Sequence, residues 1–556
     1  MNKGEKPTET ELKLVLPDLN AEPGIIAILR EHGCIIKKPD HVKNVDIYMD
    51  TFDWLLMKNK LSLRYRLANG KAMHTIKSIG SIANGIADRM EIEVPLSEPI
   101  SDPTEISTKK ITDIIEGVIY PRKLLEHVQI STERRRYQVI LPQKAQFEMA
   151  FDTSSFSLRG LHKPRRAQKL QELEVEIISG PASALNNIAM ILSRKFNFKP
   201  STESKLEVAI HRLKVLIPSK KPPETLMPGC DDRLDLAIRK FLTHQLNRFC
   251  ENLPGVKSDV DTEFVHQARV ATRRMRSSLR LFRDAVPAST RAYFERELKW
   301  LGEMFGAVRD VDVFLLNLNV FGHQIGRFPA KKKNVLNDLV EKHRRAPLKS
   351  LIHAIDSPRY ANFERRLRRF LEGALPVRPR LPLALKLVSE VAPVIITEKF
   401  NAVIKQGMTV IKKPKLKEFH GLRIQMKRLR YACEFMAPAY AGALEPFIER
   451  TVEIQDCLGE IQDTVFTREF IDYLFDEWKG KLVSPELVFI LGEIYQLQVE
   501  IANDKQKKFG KIWERFDSEE TTGHIQDILP IKAAPIKAAP IKAATNTKNT
   551  SPVISK

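Results

Sequence analysis

The feature of this sequence with the clearest chemical meaning is a row of basic residues at helical spacing. In VHQARVATRRMRSSLR (265–280), basic side chains recur at steps of three and four, at His266, Arg269, Arg273, Arg276 and Arg280. A helix turns about 100° per residue, so these side chains share an arc of roughly 80°. No acidic residue lies between Val265 and Arg283, and like charges at this spacing repel. The pattern predicts a polyanion against this helix, and a solvated surface helix is the plainer alternative.

The same pattern occurs twice. HGLRIQMKRLR from His420 repeats HQARVATRRMR from His266, and LGEIQDTV (458–465) repeats FGAVRDVDV (305–313) at nearly the same separation. This predicts an internal duplication, with two basic helices related by approximate two-fold symmetry. The predicted polyanion-binding residues are His266, Arg269, Arg273, Arg274, Arg276, Arg280, Arg309, His420, Arg423, Lys427, Arg428 and Arg430.

The overall charge supports a polyanionic partner. Among 556 residues, 90 Lys and Arg face 69 Asp and Glu, which gives a net charge of +21. Such an excess favours nucleic acid, an anionic membrane or polymeric phosphate as partner. Aromatic residues make up only 7% of the chain, and no zinc-finger, RNP or basic-zipper pattern is present. These observations argue against nucleic acid, whereas a linear phosphate chain requires only charge and hydrogen-bond donors.

Cysteine usage and apolar runs indicate the compartment. The five cysteines are dispersed, so neither a disulfide framework nor a zinc site is expected. The start, MNKGEKPTETE, has no apolar core like that of a signal peptide, and no run of about 18 apolar residues occurs. We therefore expect a cytoplasmic protein without membrane contact.

The texture of the sequence changes along the chain. Up to about residue 215, short alternating segments read as strands: ELKLVL, LSLRYRL, MHTIKSI, MEIEVPL, RYQVILP, EMAFDTSSF and LEVEII. SALNNIAMILSRKF reads as a helix. Residues 216–229 are rich in Pro and Lys and read as a linker, and 230–516 show long helical apolar stripes. Residues 517–556, with three PIKAA repeats, are expected to form a disordered basic tail.

Charged residues alternate within the predicted strands. They occupy every second position in the sets Glu9, Glu11, Lys13; Arg64, Arg66; Arg89, Glu91, Glu93; Arg134, Arg136; and Glu172, Glu174, Glu176. Alternate side chains share one face of a strand, so each strand has a charged and an apolar face. A half-solvated antiparallel sheet explains this alternation. A closed sheet with a polar interior also explains the mixture of acids, which hold divalent cations, and bases, which neutralise phosphate.

The order of these motifs resembles that of the CYTH superfamily, the triphosphate tunnel metalloenzymes. The set is Glu9-x-Glu11-x-Lys13, YMDT, LRYR, TIK, RMEIE, FDT, ELEVE and Ser204-Lys205, over residues 5–213. The resemblance implies a closed eight-stranded antiparallel β tunnel with flanking helices, of α+β class, that binds triphosphate with Mg²⁺ or Mn²⁺. The first strand would supply the catalytic residues Glu9, Glu11 and Lys13.

The resemblance also implies two ligand sets in the tunnel. The residues expected to bind phosphate are Lys13, Arg64, Arg66, Lys77, Arg89, Arg134, Arg136 and Lys205. The residues expected to bind metal are Glu9, Glu11, Glu91, Glu93, Asp152, Glu174 and Glu176. No Ser-His-Asp or Cys-His nucleophile is visible, so we expect direct attack by water, oriented by a second metal ion or by a glutamate of the first strand.

The two basic helices and the Gly-x-x-Arg-Asp-x-Asp run at 306–312 resemble a CHAD domain, the conserved histidine α-helical domain. The resemblance covers about 230–516 and implies an all-α, duplicated helical bundle that binds inorganic polyphosphate. CYTH followed by CHAD is a common bacterial pairing, and such proteins resemble inorganic triphosphatases. The expected domains are therefore 1–215 and 230–516, with tripolyphosphate and long-chain polyphosphate as partners and association with polyphosphate granules left open.

Two other functions are compatible with the sequence. The tunnel could act on an organic triphosphate, as thiamine triphosphatases and class IV adenylyl cyclases of the same superfamily do. The chain could instead be a non-enzymatic polyphosphate-binding or granule-targeting protein. The charges retained in the strands argue against the second alternative.

Overall fold

The computed structural model divides into two compact units, residues 1–221 with 258–263, and 222–257 with 264–556. It describes residues 8–16, 21–79, 82–83, 86–106, 108–120, 122–142, 144–160, 168–181, 183–196, 198–201, 203–215, 217, 227–325, 330–375, 381–480, 483–518, 521 and 523. Most of the predicted linker and nearly all of the predicted tail lie outside these residues. The domain boundaries given above stay predictions.

The first unit is built on eight antiparallel strands that close into a ring. Around the ring the order is β1-β10-β9-β8-β3-β4-β5-β7, and β7 pairs with β1 again. The ring strands are β1 (Thr8–Val15), β3 (Asp40–Asp50), β4 (Leu61–Ala68), β5 (Lys71–Ser78), β7 (Ile86–Pro95), β8 (Leu125–Ile140), β9 (Gln146–Leu158) and β10 (Gln168–Ser179). Short strands β2 (Ile35–Ile36), β6 (Ile82–Ala83) and β11 (Lys199–Pro200) pair outside the ring order. The predicted antiparallel sheet is confirmed.

Helices cover the apolar outer face of the ring. They are α1 (Ala21–Glu31), α2 (Leu55–Lys58), α3 (Lys109–Ile119) and α4 (Ser183–Lys195). The fifth helix, α5 (Lys205–Arg212), packs instead on the inner face, where Leu206 and Ile210 meet Ile130 and Phe156, which are in phase with Arg134 and Asp152. Leu12 and Leu14, on either side of Lys13, pack in one core with α1 and α4. Leu63 packs in another with Ile111 of α3. Because successive side chains of a strand alternate between faces, burying these leucines outward sends the charged neighbours inward.

The second unit is helical, as predicted. Its helices are α6 (Leu234–Ser258), α7 (Thr262–Leu281), α8 (Ala288–Ile325), α9 (Ala330–Ile355), α10 (Pro358–Glu372), α11 (Val388–Lys412), α12 (Leu416–Met436), α13 (Glu445–Trp478) and α14 (Pro485–Phe516). The order α6 to α9 recurs as α11 to α14, and α6 and α11 are each 25 residues long. The two basic segments are α7 and α12, and the repeated downstream motifs lie on α8 and α13.

Each basic helix is anchored by an apolar face. In α7 the buried residues include Phe264, Ala268, Met275 and Leu279, which recur at steps of four and seven. The basic row lies beside this apolar stripe, so core packing fixes the direction in which the arginines point. No helix among the described residues is both long and apolar enough to cross a membrane.

We expect Gly407→Ala to destabilise the helical unit, because a Cβ at this position of α11 would lie 1.9 Å from the ring of Trp513 on α14. Overpacking of a buried site costs about 1–3 kcal/mol. The matched control is Gly492→Ala on α14, where nothing lies within 4 Å of the added Cβ. That change should stabilise the helix by about 0.5–1 kcal/mol. Thermal unfolding followed by circular dichroism measures both, and equal melting temperatures would show that Trp513 moves aside freely.

Candidate functional site

The inner face of the ring brings acidic and basic residues of different strands into register. Lys13 of β1 lies opposite Glu174 of β10, and Asp152 of β9 lies opposite both Arg134 of β8 and Glu172 of β10. Directly opposed residues of antiparallel strands share a face. The alternating charges of five predicted strands therefore point into one enclosed space, which we call the tunnel.

Glu174 is the centre of the first ionic network in the tunnel. Its carboxylate lies 3.1 Å from Lys13 Nζ and 2.8 Å from Lys205 Nζ, and Arg134 contacts its other oxygen. Lys13 and Glu174 are only 7% and 8% exposed. Burial alone would raise the pKa of Glu174, but the charges of Lys13, Lys205 and Arg134 outweigh it and hold that pKa well below its usual value.

Asp152 joins the same network from the neighbouring strand. Arg134 donates two hydrogen bonds to it, of 2.8 Å from Nε and 2.7 Å from Nη2. Lys205 Nζ also donates to Asp152. Lys205 is held there because Ser204 caps α5: Ser204 Oγ accepts from the backbone N–H of Glu207, and Glu207 accepts from the backbone N–H of Ser204. The cap at Ser204 thus holds the ammonium group of Lys205 within the first ionic network.

Glu172 is buried beside this network without a hydrogen bond. It is 0% exposed, neither carboxylate oxygen has a partner among the described residues, and Lys205 Nζ lies 3.9 Å away. Burial raises the pKa of Glu172 to about 7, against the lowering effect of Lys205 and Lys13. Both oxygens of this carboxylate accept no hydrogen bond from the described residues, so they can bind a cation.

A second network lies on the other side of the ring. Glu91 of β7 is 2.6 Å from Lys77 Nζ and 3.3 Å from Arg64 Nη2. Arg64 also lies 3.5 Å from Glu93, which accepts a hydrogen bond from Thr75. Arg64 is 9% exposed. Three strands, β4, β5 and β7, therefore supply one connected set of ion pairs.

Asp46 of β3 connects the two networks electrostatically. It forms a bidentate ion pair with Arg66, at 2.6 Å from Nε and 2.9 Å from Nη2. Burial opposes ionisation, but the charges of Arg64, Arg66 and Lys205 lower the pKa of Asp46. Asp46 lies opposite both Arg66 of β4 and Ile130 of β8, and Ile130 shares a strand face with Arg134. Asp46 and Arg66 therefore lie on the inner face that carries both networks.

Other predicted tunnel residues lie towards the ends or outside the described side chains. The side chain of Arg136 is partly exposed. It contacts Asp40, and its Nη1 lies 3.7 Å from Glu148 Oε2. Glu176 is exposed and lies opposite Glu11 in register, as Arg89 lies opposite Glu9. The side chains of Glu9, Glu11 and Arg89 fall outside the described residues, so their roles stay predictions.

The tunnel has the donor chemistry for a divalent cation. Mg²⁺ and Mn²⁺ prefer carboxylate oxygens. The buried oxygens of Glu172, which have no hydrogen-bond partner among the described residues, are available to bind such an ion. Where the structure describes side chains, no group of three or more His, Cys, Asp or Glu forms a metal site by itself. Glu172 therefore fits a divalent cation, and Glu9 and Glu11 of the first strand stay predicted ligands.

The helical unit contains a separate concentration of positive charge. Arg269 and Arg273 of α7 act on Lys427 of α12, together with Arg423 on its own helix. Buried guanidinium nitrogens of Arg273, Arg309 and Arg423 have no hydrogen-bond partner within the described part of the chain. We call these five residues, Arg269, Arg273, Arg309, Arg423 and Lys427, the basic cluster. Both predicted basic helices therefore contribute to one site.

Among the described residues, two aspartates lie against the cluster, and Glu434 of α12 also acts on Arg273. Asp310 of α8 lies 3.8 Å from Arg269 Nη2, and Asp463 of α13 interacts with Arg423, Lys427 and Arg309. These aspartates occupy equivalent positions of the repeat, in GAVRD and GEIQD. Burial, followed by the charges of Arg423, Arg273 and Arg269, lowers the pKa of Lys427 to about 7. The cluster thus holds more positive charge than its surroundings neutralise.

Several predicted polyanion ligands are engaged elsewhere. Arg274 and Arg430 both contact Glu434, and Arg280 contacts Glu295. His420 Nδ1 lies 2.8 Å from Gln462, the repeat equivalent of Arg309. His266 interacts with other residues of the chain. The Nε of Arg276 is buried without a hydrogen-bond partner among the described residues. Arg428 is exposed, and its Nη1 donates to Gln425 Oε1 at 3.4 Å. The roles of these residues in ligand binding stay predictions.

Family profiles agree with this geometry. Residues 7–210 match the profile of the CYTH domain, and residues 240–472 match that of the CHAD domain. The chain carries a CYTH domain followed by a CHAD domain. The CYTH match supports a triphosphate-tunnel enzyme, a class that generally uses divalent metal ions, and CHAD domains are linked to polyphosphate.

Relatives and solved structures are similar to this chain at low sequence identity. An uncharacterized protein of Mycobacterium tuberculosis is 22% identical over 517 residues, covering 89% of this chain and 93% of the relative. The CHAD domain from the plant Ricinus communis is 22% identical, covers 57% of this chain and 99% of its own, and has a TM-score of 0.39. A proposed adenylyl cyclase from Hippeastrum, described as having a dominant triphosphatase activity, is 17% identical, covers 38% of this chain and 100% of its own, and has a TM-score of 0.27.

The structure adds residues that the motifs did not identify. In the CYTH domain this is Asp46; the only signal for it was its position two residues before Tyr48 of YMDT, on the same strand face. For Glu172, already part of the alternating set, the structure adds that its oxygens accept no hydrogen bond among the described residues. In the CHAD domain, Asp463 could have been found from its repeat equivalence to Asp310. Asp312, the last residue of the Gly-x-x-Arg-Asp-x-Asp run, is fully buried and paired with Arg344 of α9, which gives it a structural role.

We expect Lys427→Met to raise the melting temperature of the CHAD domain at pH 7, because it removes a buried cation surrounded by like charge. The folded pKa of Lys427 lies below its unfolded value, so the unfolded chain binds more protons between pH 7 and 10. The wild-type free energy of unfolding should therefore rise with pH over this window, and the variant should gain on the order of 1 kcal/mol at pH 7.

The gain should shrink as the pH rises through 10.5, the ordinary pKa of lysine, because above that pH Lys427 is neutral in both the folded and the unfolded chain. Arg428→Met, a charge removal at the exposed neighbouring position, is the control and should change stability little. Calorimetric scans at several pH values measure both variants. A gain for Lys427→Met that is independent of pH would contradict the electrostatic explanation.

Proposed function

We propose that the CYTH domain is a metal-dependent inorganic triphosphatase that hydrolyses tripolyphosphate to diphosphate and phosphate, and that the CHAD domain binds inorganic polyphosphate. The observation that carries the first part is the closed ring whose inner face presents buried lysines and arginines interleaved with carboxylates. A substrate with closely spaced negative charges and no required apolar group suits such a surface.

The bases of the tunnel would bind the phosphate oxygens. Lys13, Arg134 and Lys205 lie around Glu174 and Asp152, and Arg64 and Lys77 lie around Glu91. Each cation already has a carboxylate partner. Where a phosphate oxygen takes the place of that carboxylate, the displaced carboxylate would be neutralised by a divalent cation. Cations on opposite walls would hold an extended phosphate chain between them.

Hydrolysis transfers the terminal phosphoryl group to water. A water oxygen forms a bond to the terminal phosphorus, the bond from that phosphorus to the bridging oxygen breaks, and diphosphate leaves with the electron pair. A proton passes from the water to a carboxylate or to the medium. The arginines and lysines stabilise the charge on the leaving diphosphate, and Glu9 or Glu11 is proposed to orient the water.

A divalent cation would be held by carboxylates of the inner face. Glu172 and Glu174 of β10, with Glu9 and Glu11 of β1, form the proposed ligand set. When bound, Mg²⁺ or Mn²⁺ supplies Lewis-acid neutralisation of phosphate charge.

The basic cluster supports the second part of the proposal. Five cations meet two aspartates and Glu434, and buried guanidinium nitrogens of three of the five have no hydrogen-bond partner within the described residues. A polyanion supplies both the missing charge and the missing acceptors. A linear polyphosphate can follow the rows on α7 and α12 because it needs no base or sugar contacts.

Replacing inner-face charges should abolish phosphate release while outer-face changes leave it intact. We expect Arg134→Met and Glu93→Gln each to lower kcat/KM for tripolyphosphate by about 100-fold or more. Glu9→Ala combined with Glu11→Ala should also remove activity with Mg²⁺ or Mn²⁺. The assay is phosphate release from tripolyphosphate, with thiamine triphosphate and ATP as comparison substrates.

Glu133→Gln is the matched control, because Glu133 adjoins Arg134 on β8 but lies exposed on the outer face, paired with Lys43 at 3.0 Å. Removing one partner of a buried pair can also unfold the domain, so circular dichroism accompanies each assay. Glu93 is 46% exposed, so its variant keeps the test independent of folding. Folded inner-face variants with full activity would remove the proposed site.

Removing two members of the basic cluster should weaken polyphosphate binding. We expect Arg273→Ser combined with Arg423→Ser to lower the affinity for long-chain polyphosphate by about tenfold or more and to reduce the salt dependence of binding. Arg365→Ser combined with Arg369→Ser, two exposed positions of α10, removes the same net charge and serves as control. Isothermal titration at several salt concentrations measures both, and equal losses would show that binding follows net charge alone.

A further inference from the structure

A cavity of about 370 Å³, partly open to solvent, lies between α8, α9 and α13 of the CHAD domain. This volume falls within the range of small-molecule sites, about 300–1,000 Å³. One wall is aromatic, formed by Phe466, Phe470 and Tyr473 of α13. The spacing of four and three residues places these rings on one face of the helix. Tyr473 is 49% exposed, so its ring is accessible from solvent.

The opposite walls combine apolar and polar groups. His343 and Pro347 of α9 line the cavity, and the ring of His343 lies edge-on to Tyr473 at 5.9 Å between centroids. Ala307 and Asp310 of α8 complete it. A flat ring can therefore meet aromatic faces on one side and hydrogen-bonding groups on the other, which is how proteins hold a base.

The cavity adjoins the basic cluster at Asp310 of α8 and along α13. Asp310 lines the cavity and lies 3.8 Å from Arg269. On α13, Asp463 interacts with Arg309, Arg423 and Lys427, and Phe466 of the cavity follows it by less than one helical turn. A ligand whose aromatic part occupies the cavity would therefore direct its charged part towards the cations.

We propose that this cavity and the basic cluster together bind a nucleotide, with its aromatic base in the cavity and its phosphates on the cluster. The inference uses the cluster as a phosphate site, so in that respect it rests on the proposed function of the CHAD domain. It goes beyond that function because polyphosphate has no group that an aromatic wall recognises. One cavity with room for one base favours a mononucleotide over a nucleic-acid chain, which would need a series of stacking surfaces.

Asp310 gives the site a means of selecting the base. Its carboxylate is at the wall of the cavity, where an exocyclic amino group of a base can donate a hydrogen bond to it. The same carboxylate repels phosphate, so it favours the orientation in which the phosphates lie further along the cluster. Lys342 and His343 are further polar groups that line the cavity.

Photolabelling of the full chain with 8-azido-ATP tests the proposal, because the labelled peptide separates this site from the tunnel. We expect label on residues 469–479, which contain Tyr473, and ATP should compete at this peptide about tenfold better than tripolyphosphate. Tyr473→Ala should lower labelling there by about fivefold or more. Phe489→Ala, an aromatic removal that is 66% exposed on α14 and outside the cavity, should leave labelling unchanged.

The outcomes separate this proposal from the general one. Equal competition by ATP and tripolyphosphate, or label absent from α9 and α13, would overturn the base site while polyphosphate binding by the same preparation stands. Failure of both ligands to bind would remove the phosphate site as well. Stronger competition by a single-stranded adenylate decamer than by ATP would replace the mononucleotide with nucleic acid. Circular dichroism of Tyr473→Ala confirms that lost labelling is not lost folding.

Discussion

A charge removed from water is tolerated only when other charges or dipoles replace the lost hydration. The CYTH domain meets this constraint inside a closed sheet, where Glu174 contacts Lys13, Arg134 and Lys205. These residues come from β1, β8 and β10 and from the start of α5. The network therefore binds together parts of the chain that are distant in sequence, and the positions of the bases are set before any ligand enters. Preorganised charges of this kind stabilise a phosphate chain without further rearrangement.

The CHAD domain treats the same constraint in the opposite way. Its basic cluster leaves positive charge in excess. Burial, followed by the charges of the neighbouring arginines, lowers the pKa of Lys427. Tyr431 moderates the cluster with its ring 5.5 Å from Arg273, and Asp310 and Asp463 supply two negative charges. What remains is a surface on which an anion completes the structure. One domain thus stores its cations as ion pairs, and the other keeps them only partly neutralised.

The sequence predicted the periodic features of this protein well, because periodicity follows directly from backbone geometry. Alternation in ELKLVL and LSLRYRL identified strands, and steps of three and four identified α7 and α12. Strand β3 was absent from the strands found by alternation, since Lys43, Asn44 and Asp46 interrupt its apolar residues. It was nevertheless essential, because it closes the ring between β4 and β8.

Pairing between distant elements could not be read in the same way. A helical wheel places Arg273 and Arg430 on equivalent basic rows, yet Arg430 is neutralised by Glu434 whereas Arg273 faces Lys427. Likewise, alternation places Glu172 and Glu174 on one face, but only tertiary packing shows the difference between them. Glu174 has close ion pairs with Lys13 and Arg134, whereas Glu172 has Lys205 at 3.9 Å and no hydrogen bond among the described residues. Such distinctions depend on partners more than a hundred residues away in some cases, and they are set by tertiary contacts.

Closure of the ring by its first strand has a consequence for biosynthesis. β1 pairs with β7 and with β10, so the earliest strand to leave the ribosome completes the sheet only after residues 168–179 have been made. At ordinary rates of translation this delay is on the order of ten seconds. During that interval Leu12 and Leu14 have no β10 to pair with, and β1 is an exposed edge open to pairing with other nascent chains. We expect the acidic residues Glu9 and Glu11 to oppose such pairing, since charge on an edge strand disfavours aggregation while β10 is not yet available.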